Sequence, residues 1–174
     1  VEVRTGSGVY VQDRSTTAAR GNPITVNEWG PLELIRARRV LEGEIASRAA
    51  TMAKRKDIAA RRLALADMVR GADAGTLPIE GDRAFHSAIV QSTGNTVLIE
   101  TIHGFWDSRR GPLFERLGGY FETVASWRSA IAEHTAILDA IVAHDAPGAR
   151  AAMHAHMDKS HTRFSASWRR AKAS

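Results

Sequence analysis

The sequence predicts an all-α protein: an antiparallel helical bundle of six to seven helices, preceded by a short β-hairpin. Three observations predict it. From about residue 31 onward, apolar side chains recur three and four positions apart. Short stretches bearing glycine or proline separate these runs, which suits antiparallel neighbours joined by tight connections. No second strand-rich region and no internal repeat follows the opening residues.

The opening, "VEVRTGSGVYV", supplies the hairpin. Val1, Val3 and Thr5 alternate with Glu2 and Arg4, then Gly6, Ser7 and Gly8 provide a turn, and a strand resumes over 9–11. A lone two-stranded hairpin is marginal in water, so this one is expected to belong to a larger unit. Residues 1–12 are assigned to the hairpin, 13–27 to a polar linker without periodicity, and 28–170 to the helical domain.

The first helix is expected over about 31–52, with Pro31 in its first turn and an apolar stripe of Leu34, Ala37, Leu41, Ile45 and Ala49. A second is expected over 57–72, with Asp57 as its N-cap. The third begins near 78 and ends at "STGN", whose glycine suits a C-terminal cap. The fourth is expected over 96–117, broken at Gly111-Pro112, and "GGYFET" reads as a loop. The fifth and sixth are expected over 123–144 and 147–168.

A length of 174 residues, 44% hydrophobic and 25% charged, accommodates one well-buried domain with an appendage. The chain has no cysteine, which excludes disulfides and thiolate metal sites and fits a cytoplasmic protein. No apolar run approaches membrane-spanning length and no signal peptide opens the sequence. The net charge of +5 and pI near 10.2 favour anionic partners. The cations are scattered with acids between them, however, which reads as a solvated helical surface.

The chemistry is concentrated in four residues. In "DRAFHSAI", Asp82 and His86 are four apart and share one helix face, where they form either a metal-ligand pair or an ordinary surface pair. His134 lies on the stripe of Ile131, Ile137, Leu138 and Ile141, and so points inward. In "ARAAMHAHMDKSH", His156 follows the apolar face of Ala149, Ala152 and Met153, whereas His154 sits with Arg150, Asp158 and His161 on the polar face. Three inward imidazoles and a carboxylate on three helices would each need partners, and a divalent ion satisfies several at once. Nitrogen and oxygen donors without thiolate suit zinc, nickel, iron, manganese or cobalt.

The other candidates carry open alternatives. Arg38, one turn before Glu42, either clamps a carboxylate that also reaches the metal or forms a salt bridge along the helix. His103 reads as half-buried, and His144 as a helix C-terminal residue suited to the dipole. Trp29, Trp127 and Trp168 read as packing anchors, with Trp106 kept as a possible pocket wall.

With these residues in view, the chain resembles a known family. "VEVRTGSGVYV" is similar to the wing of the winged helix-turn-helix of GntR-type bacterial transcription regulators. "RRVLEGEIA", "DRAFHSAIVQSTGN" and "EHTAILDAIVAHDAPGARAAMHAHM" follow in the order of the FCD effector domain of the FadR subfamily. The resemblance implies metal ligands at Asp82, His86, His134 and His156, and effector contacts at Arg38 and, unless it only shapes a turn, Asn95. It also implies that a reading helix belongs before the wing, in a longer protein. Members that respond to fatty-acyl-CoA lack the full metal set, so its presence implies a small carboxylate effector such as a hydroxy acid, sugar acid or aromatic acid.

The function expected is therefore the effector-binding and dimerisation domain of a ligand-responsive DNA-binding transcription regulator, not an enzyme. Its partners would be a small organic acid, operator DNA in the full-length protein, and a second copy in a homodimer; no membrane is implied. DNA contact would fall to Arg4, Gly6, Ser7 and Gly8, with Arg4 alternatively a solvated hairpin charge. Two other readings remain. A helical-bundle metalloenzyme needs a general base beside the cluster, and no Asp or Glu stands out for it. A purely structural metal in an interaction module requires a closed shell with no cavity beside it.

Overall fold

The computed structural model of the chain describes residues 29–109 and 123–171, with side chains to 166, and the backbone of residues 2–4 and 8–10. Glu2–Arg4 (β1) and Gly8–Tyr10 (β2) pair antiparallel with Val3 opposite Val9, in the register of a hairpin. Six helices are described: α1 Pro31–Thr51, α2 Arg55–Asp73, α3 Ile79–Gln91, α4 Thr96–Ser108, α5 Val124–Val142 and α6 Ala146–Ala171. They form the expected all-α bundle. The linker, the Gly111-Pro112 break and most of the "GGYFET" loop lie outside the described residues.

The first and last helices pack along each other, α2 lies against α3 and α5, and α5 packs on α6. The core between them includes Met68, Phe85, Ile89, Ile102, Ile137, Ile141 and Met153, all essentially inaccessible to solvent. Outside this core, exposed ion pairs Arg39–Asp158 (2.7 Å) and Arg150–Glu44 (2.7 Å) join α1 to α6. Exposed pairs of this kind contribute ~0–1 kcal/mol each, so the apolar seam holds the two helices together.

Local signals explain most helix boundaries. Pro31 opens α1, and Leu34 N–H donates to the Gly30 carbonyl. Gly94, in the left-handed region at φ 63, separates α3 from α4, and Asn95 caps α4 by accepting the Leu98 N–H. Thr123 and Ser126 form a reciprocal capping box at the start of α5. Asp145 accepts the Gly148 N–H in the first turn of α6.

Three expectations are corrected. Asp57 lies within the first turn of α2, and Lys54 holds the N-cap position without a side-chain cap. Ala37 is exposed, because the buried face of α1 runs through Leu34, Ile35, Arg38, Glu42, Ile45 and Ala49. Two charged residues occupy inward positions that a purely apolar stripe passes over. His144 does not extend α5: it adopts φ 55 beyond the helix end and donates from Nδ1 to the Ala50 carbonyl at 3.0 Å. That bond ties the α5–α6 turn to the end of α1. Among the described residues, no helix is long and apolar enough to cross a membrane.

Candidate metal centre

The buried faces of α3, α5 and α6 converge on one point. Helix α3 supplies Asp82 and His86 one turn apart, α5 supplies His134, and α6 supplies His156. All four are buried, and one donor atom from each lies within 4.8 Å of all the others. His134 Nε2 is 2.9 Å from Asp82 Oδ1 and 3.2 Å from His86 Nε2, which itself is 3.4 Å from Asp82 Oδ1. His154, left out of the set by its facing, is half-buried and packs over Gly43.

The outer nitrogen of each imidazole is already engaged. His86 Nδ1 meets the Glu42 carboxylate, His134 Nδ1 lies 2.7 Å from the Ala130 carbonyl, and His156 Nδ1 lies 2.8 Å from Glu133 Oε2. A carbonyl and an ionised carboxylate only accept, so each Nδ1 must carry the hydrogen. The three Nε2 atoms then turn lone pairs toward one another and toward a carboxylate oxygen. Such a set needs a positive centre among its members, either a proton or a metal ion. Three nitrogen donors and one oxygen donor, each oriented by an outer partner, fit a divalent transition ion.

The electrostatics follow from the same contacts. Burial pushes the Glu42 carboxyl up, but the Arg38 guanidinium and His86 more than reverse this and hold it at about 2. Burial likewise acts upward on Glu133, where His156 and Arg163 prevail and hold it at about 2. Burial raises Asp82 too, and hydrogen bonds to His134 and His86 outweigh it, leaving the group well below the ordinary carboxylate range. Burial and the neighbouring His134 push His156 down to about 3. Burial would lower His86 as well, but the Glu42 carboxylate dominates and raises it.

A cavity opens beside the cluster, bounded on its apolar side by Leu34, Ile35 and Phe164. Asp82 and His156 face it, together with Arg38, Arg109 and Arg163 and the hydroxyl-bearing Ser126 and Ser160. Arg38 is 5% exposed and donates from Nε to Glu42 Oε1 at 2.5 Å, while its buried Nη2 has no hydrogen-bond partner. The second oxygen of Asp82 accepts from Arg109 Nη1 at 3.2 Å. A closed shell without a cavity, as a purely structural metal would require, is not what surrounds this cluster.

Other sequence candidates fall elsewhere. Trp106 is buried with the Arg38 and Arg109 guanidinium carbons each 4.6 Å from its ring centroid, so it backs two arginines and is not among the cavity-lining residues. Trp127, expected as a packing anchor, does line the cavity. Asn95 is an exposed helix cap outside the cavity. Arg4 and Gly8 lie in the paired strands, where only backbone is described, and Gly6 and Ser7 lie outside the described residues. Sequence reasoning missed Glu133, Arg109 and Arg163, and it gave Glu42 no role beyond pairing with Arg38. The carboxylates it failed to find beside the cluster are there, but each is held by an arginine and a histidine and kept ionised at about 2, far from the range of a general base near neutrality.

Residues 33–159 match the FCD domain. The chain is 34% identical over 163 residues to the Uxu operon transcriptional regulator of Escherichia coli K12, covering 91% of this chain and 63% of the relative. It is 33% identical over 164 residues to the Exu regulon transcriptional regulator of the same strain, covering 91% and 61% respectively. The chain thus spans about three fifths of the length of these curated relatives. The solved structure of Escherichia coli McbR/YncC superimposes with a TM-score of 0.69 at 24% identity, covering 78% of this chain and 64% of that one, a likeness of fold. The match to the FCD domain takes in nearly three quarters of the sequence, and the chain belongs to the FCD-domain family.

Proposed function

We propose that this chain is the effector-binding and dimerisation part of a ligand-responsive, DNA-binding transcription regulator, and that it senses a small carboxylate beside a divalent ion held by Asp82, His86, His134 and His156. One observation carries the reading. A buried set of three imidazole nitrogens and a carboxylate oxygen, already oriented from outside, borders a cavity in which a buried arginine keeps one nitrogen unpartnered. Zinc suits an N3O donor set best; nickel, iron, manganese and cobalt accept the same donors.

A bound ion held by these four residues would supply positive charge to attract and polarise a carboxylate. The chain's own residues do the rest. Arg38 Nη2 donates to the acid, while Glu42 on its Nε and Trp106 behind its guanidinium fix the fork. Leu34, Ile35 and Phe164 exclude water and strengthen that contact. Effector binding then biases two arrangements of a homodimer, which alters the spacing of two winged domains on paired half-sites of operator DNA. The β1–β2 hairpin is the wing in this reading, with Arg4 as its DNA-contact candidate. The names of the relatives, which are operon and regulon regulators, support this reading over a metalloenzyme.

The test combines elemental analysis with calorimetry. After mild purification the protein is expected to hold about one divalent ion per chain, and small mono- and dicarboxylates to bind the loaded form more tightly than chelator-treated protein. A best ligand that is neutral, or that binds both forms equally, overturns the acid-sensing mechanism.

A further inference from the structure

Two chains of side chains run from the cavity wall to the donor cluster, and they are built alike. In the first, Arg38 Nε donates to Glu42 Oε1 at 2.5 Å, and the other oxygen of Glu42 accepts from His86 Nδ1. In the second, Arg163 donates to Glu133 from Nη1 at 2.8 Å and from Nη2 at 3.0 Å, and Glu133 Oε2 accepts from His156 Nδ1 at 2.8 Å. Glu42 and Glu133 are 3% and 7% exposed, deep positions for side chains that touch neither the cavity nor the convergence point of the donors. Burying a carboxylate is costly, and each here is held by an arginine of the cavity wall and an imidazole of the cluster, with the Lys159 ammonium a further 3.9 Å neighbour of Glu133.

We infer that Glu42 and Glu133 are positioning residues, each fixing one imidazole with its Nε2 lone pair toward the metal position and fastening it to an arginine of the effector cavity. The inference rests on the metal reading of this site. His134 is fixed by different means: its Nδ1 donates to the Ala130 carbonyl, one turn back on its own helix, which no side-chain substitution removes. It is thus an internal reference. A glutamine at position 42 cannot reproduce the carboxylate, because its single oxygen cannot serve Arg38 and His86 together. When the amide NH2 faces His86, Nδ1 must accept, and the hydrogen moves to Nε2, where it blocks metal binding.

The experiment compares wild type with Glu42→Gln, Glu133→Gln and Arg163→Gln, using Glu44→Gln, at an exposed carboxylate paired with Arg150, as control. Zinc affinity is measured by competition with a chromophoric chelator. Histidine tautomers are read by long-range proton–nitrogen NMR on metal-free, 15N-labelled protein, at a pH above the histidine range. Zinc binding is expected to weaken ~10–100-fold in each glutamate variant. The Nε2–H form is expected to appear at His86 in Glu42→Gln and at His156 in Glu133→Gln, while His134 keeps Nδ1–H. Arg163→Gln, which leaves Glu133 in place, is expected to weaken zinc less and to keep the His156 tautomer. If one glutamate variant fails to fold, the other chain decides, because the two share no residue. Unchanged tautomers at His86 and His156 with zinc affinity within about twofold of wild type overturn the inference. A wild type that binds no zinc overturns the metal reading instead, and the tautomer shifts in the metal-free protein still decide the positioning roles.

Discussion

Gly43 of α1 lies directly beneath the imidazole of His154 of α6, so close that a Cβ at position 43 would stand 2.2 Å from His154 Nε2. The nearest atoms to such a Cβ all belong to that one ring. Two effects compete on substitution. Alanine in a helix interior is favoured over glycine by ~1 kcal/mol, whereas overpacking costs ~1–3 kcal/mol. Gly43→Ala is expected to lose about 1 kcal/mol in the wild-type background and to gain stability in a His154→Ala background. Urea denaturation of the four proteins in this cycle gives the coupling directly, and an additive cycle refutes the contact.

His154 and His156 lie two residues apart and are expected to behave differently toward metal. His154→Ala should leave metal content near wild type, whereas the His134→Ala, His156→Ala double variant should abolish it. Elemental analysis of each variant checks this, and equal loss from His154→Ala and His156→Ala would show the wrong histidine in the set.

That choice was legible in the sequence because the spacing of Ala149, Ala152 and Met153 defines an inward face on which only His156 falls. The helices and the inward facing of His134 and His156 were readable for the same reason, since each sits in a run whose apolar period is strong, whereas Asp82 and His86 stood out by their four-residue spacing. Glu42 and Glu133 were not readable as partners of His86 and His156, since a charged residue beside an apolar stripe has the pattern of a solvated edge. Their roles depend on which helix lies opposite, and one-dimensional periodicity does not contain that. Trp106 and Trp127 exchanged their expected places on the same ground, for both lie on apolar faces and only the packing of α1 and α6 decides which one borders the cavity.

Effector binding is expected to depend on Arg38 in a graded way. Arg38→Ala should weaken the best carboxylate by ~2–5 kcal/mol, typical for truncating one partner of a desolvated charged contact. Arg38→Lys should recover only part, since a point charge cannot reproduce the guanidinium fork and its stacking on Trp106. Calorimetry on metal-loaded protein distinguishes the two, and full recovery by lysine would remove the fork from the mechanism.

Arg61 is fully buried; its Nη2 donates to Ser92 Oγ at 2.6 Å, while Nε and Nη1 have no hydrogen-bond partner. A cation so placed retains much of its desolvation penalty, and burial pushes its pKa down. Arg61→Met, which keeps the volume, is expected to leave stability within ~1 kcal/mol of wild type or to raise it. Arg61→Ala, which leaves a void, is expected to cost ~2–5 kcal/mol. Equal losses in the two variants would mean that the charge itself is needed.

Chelator-treated protein should lose stability in two stages on acidification. The unfolded chain binds a proton at His156 from about pH 6.5 downward, whereas the folded chain resists until about 3, so stability falls across that window. Glu42 and Glu133 add a second loss between about 4.5 and 2, because the unfolded carboxyls protonate first. His86 has the opposite sign: its contribution is complete below 6.5 and is lost as pH rises through its elevated value. Thermal melts from neutral to acid pH check the profile, and a flat midpoint between pH 6.5 and 3 would contradict it.

The donor cluster draws on α3, α5 and α6, and its outer support reaches back to Glu42 on α1. Chains are made from the N-terminus, and domains fold as units once enough has emerged. A nascent chain that has produced α5 carries Asp82, His86 and His134 but still lacks His156, Arg163 and the long surface on which α1 packs. The donor set is incomplete until His156, inside the last helix, has been made, and the seam with α1 grows with that helix. Acquisition of an ion at this site would therefore mark the arrival of the last helix, and a chain cut short before α6 would lack both His156 and the surface on which α1 packs.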